Sequence, residues 1–383
     1  MQSIIVGWQV YQITKDPLAL GLIGLAEALP NIAMALFAGN AADKYNRKKI
    51  ILWFLLLFLC GTAALFIFTI PSLGILKKLG VLPIYLVVAV SGVSRAFIYP
   101  AIIALMAQLV PRRMYTNSST WNSMIWHIGA ITGPAIGGMV YGFAGVRAAY
   151  SSVLIFLVLS FALLVFVKNR PAAMMIKGET LLQRLSGGLK FVFRNQILLG
   201  SMSLDMFGVL FGGAVAMLPV FAAEVLNVGP QGLGLLRSAP MAGAVIMAGI
   251  LAYKPPMVRA GKFLFIALAG FGASIILFAL SKNFYLSLAL LMMSGMFDNI
   301  SVVIRATTMQ LITPDEMRGR VASVNSIFIG SSNEIGSFES GLAARLLGLI
   351  PSVIFGGGMT LLIVAVTSKL APKLRALNLK AIR

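Results

Sequence analysis

Met114-Tyr-Thr-Asn-Ser-Ser-Thr-Trp-Asn122-Ser123 returns later in the chain as Met317-Arg-Gly-Arg-Val-Ala-Ser-Val-Asn325-Ser326. Met, Asn and Ser keep a constant offset of 203 residues. The same offset pairs Pro111 with Pro314, Gly133 with Gly336 and Gly138 with Gly341. Just upstream, Gln108-Leu109 pairs with Gln310-Leu311 after a one-residue gap. Chance supplies two such matches, but hardly a series on one register. The second half of the chain therefore repeats the first, in the same direction along the sequence.

Both copies are embedded in apolar sequence. Of 383 residues, 59% are hydrophobic and 11% charged, and the mean hydropathy is +0.94. A soluble protein carries about twice that charged share. Apolar runs of about 20 residues, enough to cross a hydrocarbon core of about 30 Å as helix, recur from end to end. Backbone groups in lipid have no water to bond, so such runs must be helices. The alternation that a membrane barrel needs is absent.

The spans read as 1–13, 17–40, 50–70, 81–110, 120–143, 148–168, 197–221, 231–253, 262–281, 284–312, 321–347 and 350–369. That is eleven full spans and one partial span. The longest polar stretch divides them six and six. The expected organisation is a first half at 1–168, a cytoplasmic linker at 169–196, a second half at 197–371 and a cytoplasmic tail at 372–383. The expected fold class is an all-α integral membrane protein of two parallel six-helix repeats.

The net charge is +20. Such a balance often marks nucleic-acid binding, but here the cations sit in short loops between apolar spans, so no nucleic-acid partner is expected. The loops at 41–49, 111–119, 168–196, 254–262 and 313–320, with the tail from Lys369, hold 22 of the 31 Lys and Arg residues. By the positive-inside rule this set is cytoplasmic. An even number of spans then puts both termini inside. The single cysteine, Cys60, lies in an apolar run, and neither a disulfide framework nor a CxxC pair nor a metal cluster is present. No cofactor is expected. The first segment is short: thirteen helical residues span about 20 Å. The sequence reading therefore expects about 10–25 upstream residues that complete this helix, a native half-helix being the alternative.

The loop after the second span reads Gly39-Asn-Ala-Ala-Asp43-Lys44-Tyr-Asn-Arg47-Lys48-Lys49. It resembles the G-x-L-A-D-R-x-G-R-[KR] signature of the major facilitator superfamily, departing at Ala41 and Asn46. The fifth span reads Gly129-Ala-Ile-Thr-Gly133-Pro134-Ala-Ile-Gly137-Gly138. It matches G-x-x-x-G-P-x-x-G-G, a pattern similar to that of the antiporter branch, at every fixed position. Segments 201–213 and 331–341 look like the bacterial branch that includes enterobactin-exporter-like proteins. The resemblance implies a twelve-helix major facilitator fold, incomplete here in its first helix, in the bacterial inner membrane. It implies proton-driven export of a siderophore, drug or metabolite by a chain acting as a monomer. It also implies that Asp43 helps to latch the cytoplasmic side shut, with Gly39, Arg47 and Lys48 in the same gating loop. For Arg47 and Lys48, setting topology is the alternative.

Physical reading of the spans adds candidates. Gly129 and Gly133 form a small-xxx-small face for close helix approach, and Pro134 bends the span. With Gly137 and Gly138 they make a candidate hinge, ordinary packing being the alternative. Five acids lie in apolar spans, Glu27, Asp205, Asp298, Glu334 and Glu339, with two arginines, Arg95 and Arg305. Charges in lipid face a bundle interior or a wet cavity and are functional candidates by default. Asp298 and Arg305 are seven residues apart, on one helix face about two turns apart. Arg95 falls one residue from the repeat mate of Asp298, which suggests an ion pair across the halves. The eleventh span, with Asn333, Glu334, Glu339 and several serines, is expected to line the cavity. His127 is read as a proton relay or a helix–helix hydrogen-bonding group. Trp8, Gln9 and Tyr11 are further lining candidates.

A carboxylate whose surroundings alternate between burial and an arginine partner changes its proton affinity, which is what coupling needs. Glu334 and Asp205 rank first, with Arg305 as counter-charge, then Asp298 and Glu27. There is no GxxxxGK[ST] loop for direct use of ATP. Uptake on the same fold is the alternative to export. A membrane sensor or enzyme is a third reading, for which the chain has neither an output domain nor a catalytic constellation.

Overall fold

The computed structural model describes residues 1–169, 181–254, 258–314 and 317–381, and it is helical throughout its ordered elements. In chain order these are α1 (Gln2–Thr14), α2 (Pro17–Lys44), α3 (Arg47–Phe68), α4 (Ile75–Leu79), α5 (Leu82–Leu109), α6 (Tyr115–Phe166), α7 (Leu181–Arg194) and α8 (Gln196–Phe211). They continue as α9 (Ala214–Val220), α10 (Gly229–Tyr253), α11 (Ala260–Leu280), α12 (Phe284–Ile312), α13 (Arg318–Leu347), α14 (Leu349–Leu370) and α15 (Pro372–Arg375). Nine segments among the described residues are long and apolar enough to cross a bilayer. α13 is long enough but too polar to count among them, and α1 is too short.

Several helix starts are written in the sequence as side-chain caps. Asp16 accepts from Leu18 N ahead of α2, and Asn46 from Lys49 N ahead of α3. Asn195 and Asn283 each accept from two backbone N–H groups at the starts of α8 and α12. Each satisfies donors that the first helical turn leaves open.

α6 contains 52 residues, about 78 Å of straight helix and far more than one bilayer. It is two rods joined at Gly145, where φ is 82° and ψ 175°. At the repeat offset stands Gly348, with φ 91° and ψ 161°, between α13 and α14. Glycine is needed at both positions because only it adopts this backbone freely. The internal repeat thus extends to a shared turn.

The chain forms two compact units. One comprises Met1–Gly178 with Gly229–Gly234; the other comprises Glu179–Val228 and Leu235–Arg383. In the first, Ile5, Val10, Leu65, Ile84, Ala149 and Tyr150 form a buried apolar core. Tyr11 and Trp8 are buried here, and the Tyr150 hydroxyl donates to the buried Gln9 Oε1 at 2.6 Å. These three α1 side chains, read as lining candidates, are buried, and Gln9 also borders a cavity together with Gln12, Ile13 and Tyr141.

In the second unit, the polar stretch after residue 169 contains a helix that the sequence reading did not place. α7 repeats Leu182, Leu185, Leu189 and Val192 at helical spacing. Val192 is fully buried against Met202, Val321 and Val324. Gly188 lets α7 approach α13 closely: a Cβ there would lie 2.7 Å from the Arg320 carbonyl. The residues after 371 also fold back, with Leu374, Leu377 and Leu379 buried among α8 and α11 side chains.

Candidate functional site

The span carrying Asp205 is discontinuous. α8 ends at Phe211, Gly212 and Gly213 interrupt the span, and α9 is followed by a π-helical turn at Phe221–Val225. Such irregularities at membrane depth occur where backbone is buried in protein or lines a cavity. The break sits on α13: a Cβ on Gly213 would lie 2.8 Å from Ser340 Oγ, and one on Gly336 would lie 2.6 Å from the Leu210 carbonyl. Ser332, Gly336 and Ser340, all buried and spaced by four, form this seam. Part of the polar stretch expected to line a cavity is therefore a packing face, because small residues allow close approach. Asn333 on the same helix is exposed, and Glu334 and Glu339 are partly exposed.

On α8, Asp205 is almost fully buried, and Arg305 Nη2 of α12 lies 2.7 Å from its Oδ1. The approach is off the axis of an aligned hydrogen bond, so the contact is chiefly ionic. Arg305 Nε donates to Ser301 Oγ at 3.3 Å, one turn earlier on α12. Asp298 interacts electrostatically with both Arg305 and Asp205. Asp205 is thus the carboxylate in direct contact with the guanidinium, and Asp298, two turns before Arg305 on α12, acts on both at longer range. With both acids ionised the cluster carries one excess negative charge, and a single added proton neutralises it. Buried charges persist only when compensated.

In the first unit Arg95 pairs with Glu27, and its guanidinium carbon lies 5.9 Å from the Phe58 ring centroid, within cation–π range. The ion pair suggested between Arg95 and Asp298 is corrected here: each arginine has its carboxylate partner inside its own unit. The cause is helix packing. Gly92 of α5 abuts the Glu27 backbone so closely that a Cβ would overlap the Glu27 carbonyl. Arg95, three residues on, shares that face. One residue from the repeat mate of Gly92, Gly295 of α12 abuts the Pro240 carbonyl of α10 in the same way.

The gating loop ties helix ends together. Arg47 donates to the Ala42 and Ala104 carbonyls, both at 3.1 Å. Lys48 donates to those of Val165 and Val167, at 2.8 and 2.7 Å. Gly39 lies at the end of α2 with open space beside it, and the Asp43 side chain lies outside the described residues. In the candidate hinge Gly129 also faces open space, whereas Gly133 and Gly137 face Met1. The tightest approach falls further along. A Cβ on Gly138 or Gly142 would overlap Pro230 or Gln231 of the Gly229–Gly234 segment. Gly138 and Gly142 are thus a second small-xxx-small pair, nine residues or about two and a half turns beyond Gly129 and Gly133. His127 is partly exposed, and its ring meets Trp126 edge to face.

The family model described as Major Facilitator Superfamily matches residues 1–337. The chain belongs to the Major Facilitator Superfamily. As a member of it, the chain is a multi-pass membrane transporter and not an enzyme. The enterobactin exporter EntS of Escherichia coli O1:K1 / APEC is 26% identical over 89% of this chain and 81% of the relative. That of Citrobacter koseri is 23% identical over 88% and 81%. Among solved structures, a peptide transporter POT has a TM-score of 0.76 at 11% identity, covering 97% of this chain and 91% of that one. A bacterial homologue of the iron transporter ferroportin, in the inward-facing state, has a TM-score of 0.68 at 15% identity, covering 98% and 96%. These structures share the fold expected from the repeat and the two motifs.

Proposed function

We propose that this chain exports a small molecule across the bacterial inner membrane in exchange for protons, by alternating access, as a monomer with cytoplasmic termini. The single observation that carries coupling is the Asp205–Asp298–Arg305 cluster within the spans. An antiporter needs a group that binds a proton in one state and gives it up in another. A cluster with one more carboxylate than cation does so when its surroundings change. Direction is supported by the relatives, which are named exporters. A siderophore is the first substrate class to examine, then drugs and other metabolites.

Two probes test direction. Expression in an efflux-deficient strain is expected to lower cell-associated ethidium or enterobactin. Raised accumulation supports uptake, and unchanged levels of both reject export of these classes. For coupling, flux of the responsive probe is measured in proteoliposomes with and without an imposed pH gradient. Asp205→Asn and Glu334→Gln are expected to lose the response to the gradient while passive exchange continues in part. If both respond like wild type, these acids are structural.

The gating loop gives a further expected result. Asp43→Asn is expected to lower transport several-fold with membrane insertion unchanged. Wild-type rates in that variant, at equal amounts of inserted protein, would remove Asp43 from the latch.

A further inference from the structure

The tail of the second unit forms a clasp against the start of α11. Ala371, Leu374, Leu377 and Leu379 are buried, while Lys373, Arg375 and Lys380 beside them are exposed. The tail is anchored by backbone as well as side chains. Gly261 N donates to the Leu377 carbonyl at 3.2 Å. A Cβ on Gly261 would meet the carbonyls of Leu374 and Arg375. The tail therefore lies against the start of α11, where Arg259 and Lys262 are also exposed. Stretches 254–283 and 361–383 contain no acid. None of these five cations belongs to the ion pairs found among the described residues.

Loop cations alone satisfy topology. Topology does not call for a tail folded on three buried leucines so that its cations join those of a helix more than 100 residues away. Exposed apolar side chains adjoin the cations: Phe263 follows Lys262, and Leu370 stands two residues before Pro372 of the tail helix. Positive charge beside exposed apolar surface matches an amphiphile better than a soluble anion. We propose that this clasp binds the headgroup of an anionic phospholipid, with Phe263 and Leu370 against its acyl chains. The inference rests on the chain sitting in a bilayer, not on the direction or coupling of transport.

The full chain is reconstituted in nanodiscs of phosphatidylcholine with a minority of phosphatidylglycerol, and the lipids that stay bound on release are measured by mass spectrometry. Enrichment of phosphatidylglycerol on the order of tenfold is expected, because surface cations attract anionic lipid additively. Lys262→Gln, Lys373→Gln, Arg375→Gln and Lys380→Gln together are expected to remove most of it. Lys77→Gln with Lys78→Gln, which neutralises two exposed cations of the first unit, is expected to leave it intact. No enrichment in wild type, equal loss in both variants, or ready displacement by inorganic phosphate overturns the proposal. If the fourfold variant does not insert, wild-type enrichment is followed in rising salt. A steep fall supports the clasp, since salt screens exposed charges, and salt-independent enrichment overturns it.

Discussion

Arg305→Met is expected to destabilise the protein by about 3–5 kcal/mol and to abolish transport, because removing one partner strands the opposite charge in a low-dielectric interior. Here the penalty falls on two acids. Asp205 loses the guanidinium 2.7 Å away, and Asp298 loses the same cation at longer range. Methionine preserves much of the arginine stem's packing, so the loss reports charge rather than volume. Asp205→Asn in the same chain is expected to recover much of the stability, since it removes one stranded carboxylate, but not gradient-driven transport. A double-mutant cycle on thermal unfolding of solubilised protein separates this coupling from simple additivity. If the two substitutions add independently, the cluster is not an electrostatic unit. Coupling must then be sought elsewhere, with Glu334 and Glu339 next.

The same cluster shows how far the residues could be read before the fold was known. Asp205, Asp298 and Arg305 stand out because charge in an apolar span is costly wherever it lies. Arg305 was legible as a counter-charge for Asp205, but the partner of Arg95 was not. Depth along the bilayer follows from sequence position, and it placed Arg95 level with Asp298. Which way a side chain faces depends on the phase of each helix against its neighbours. Gly92 sets that phase for α5 by seating it on the Glu27 backbone. A glycine in an apolar run carries no sign of which helix it will meet. α7 was hidden for another reason. Its leucines keep helical spacing, but its cations and the polar residues around them read as a loop until Val192 finds the groove between Met202 and Val324. The gaps between spans 120–143 and 148–168 and between 321–347 and 350–369 were legible, and the structure puts Gly145 and Gly348 there, since glycine supplies the backbone for the turn.

The glycines also give a test that separates close packing from mere presence in a motif. Gly92→Ala is expected to be strongly destabilising and Gly129→Ala harmless, although both add one methyl group to an apolar helix. Alanine favours helix over glycine by about 1 kcal/mol, so with space available the change is neutral or stabilising. Gly129 has that space, with nothing within 4 Å of where the added methyl group would stand. Gly92 does not. Its methyl would fall on the Glu27 carbonyl, 3.1 Å from the carbon and 3.3 Å from the Cα. These are backbone atoms, which no rotamer change can move. Overpacking of this kind costs typically about 1–3 kcal/mol, more than the helix preference returns. Separation of α2 from α5 also pulls Glu27 from Arg95, so transport is expected to fall with stability. Thermal unfolding and probe flux on the two single variants measure both effects. Equal stability of the two would mean that the α2–α5 contact relaxes freely, and that Arg95 finds Glu27 without the close approach at Gly92.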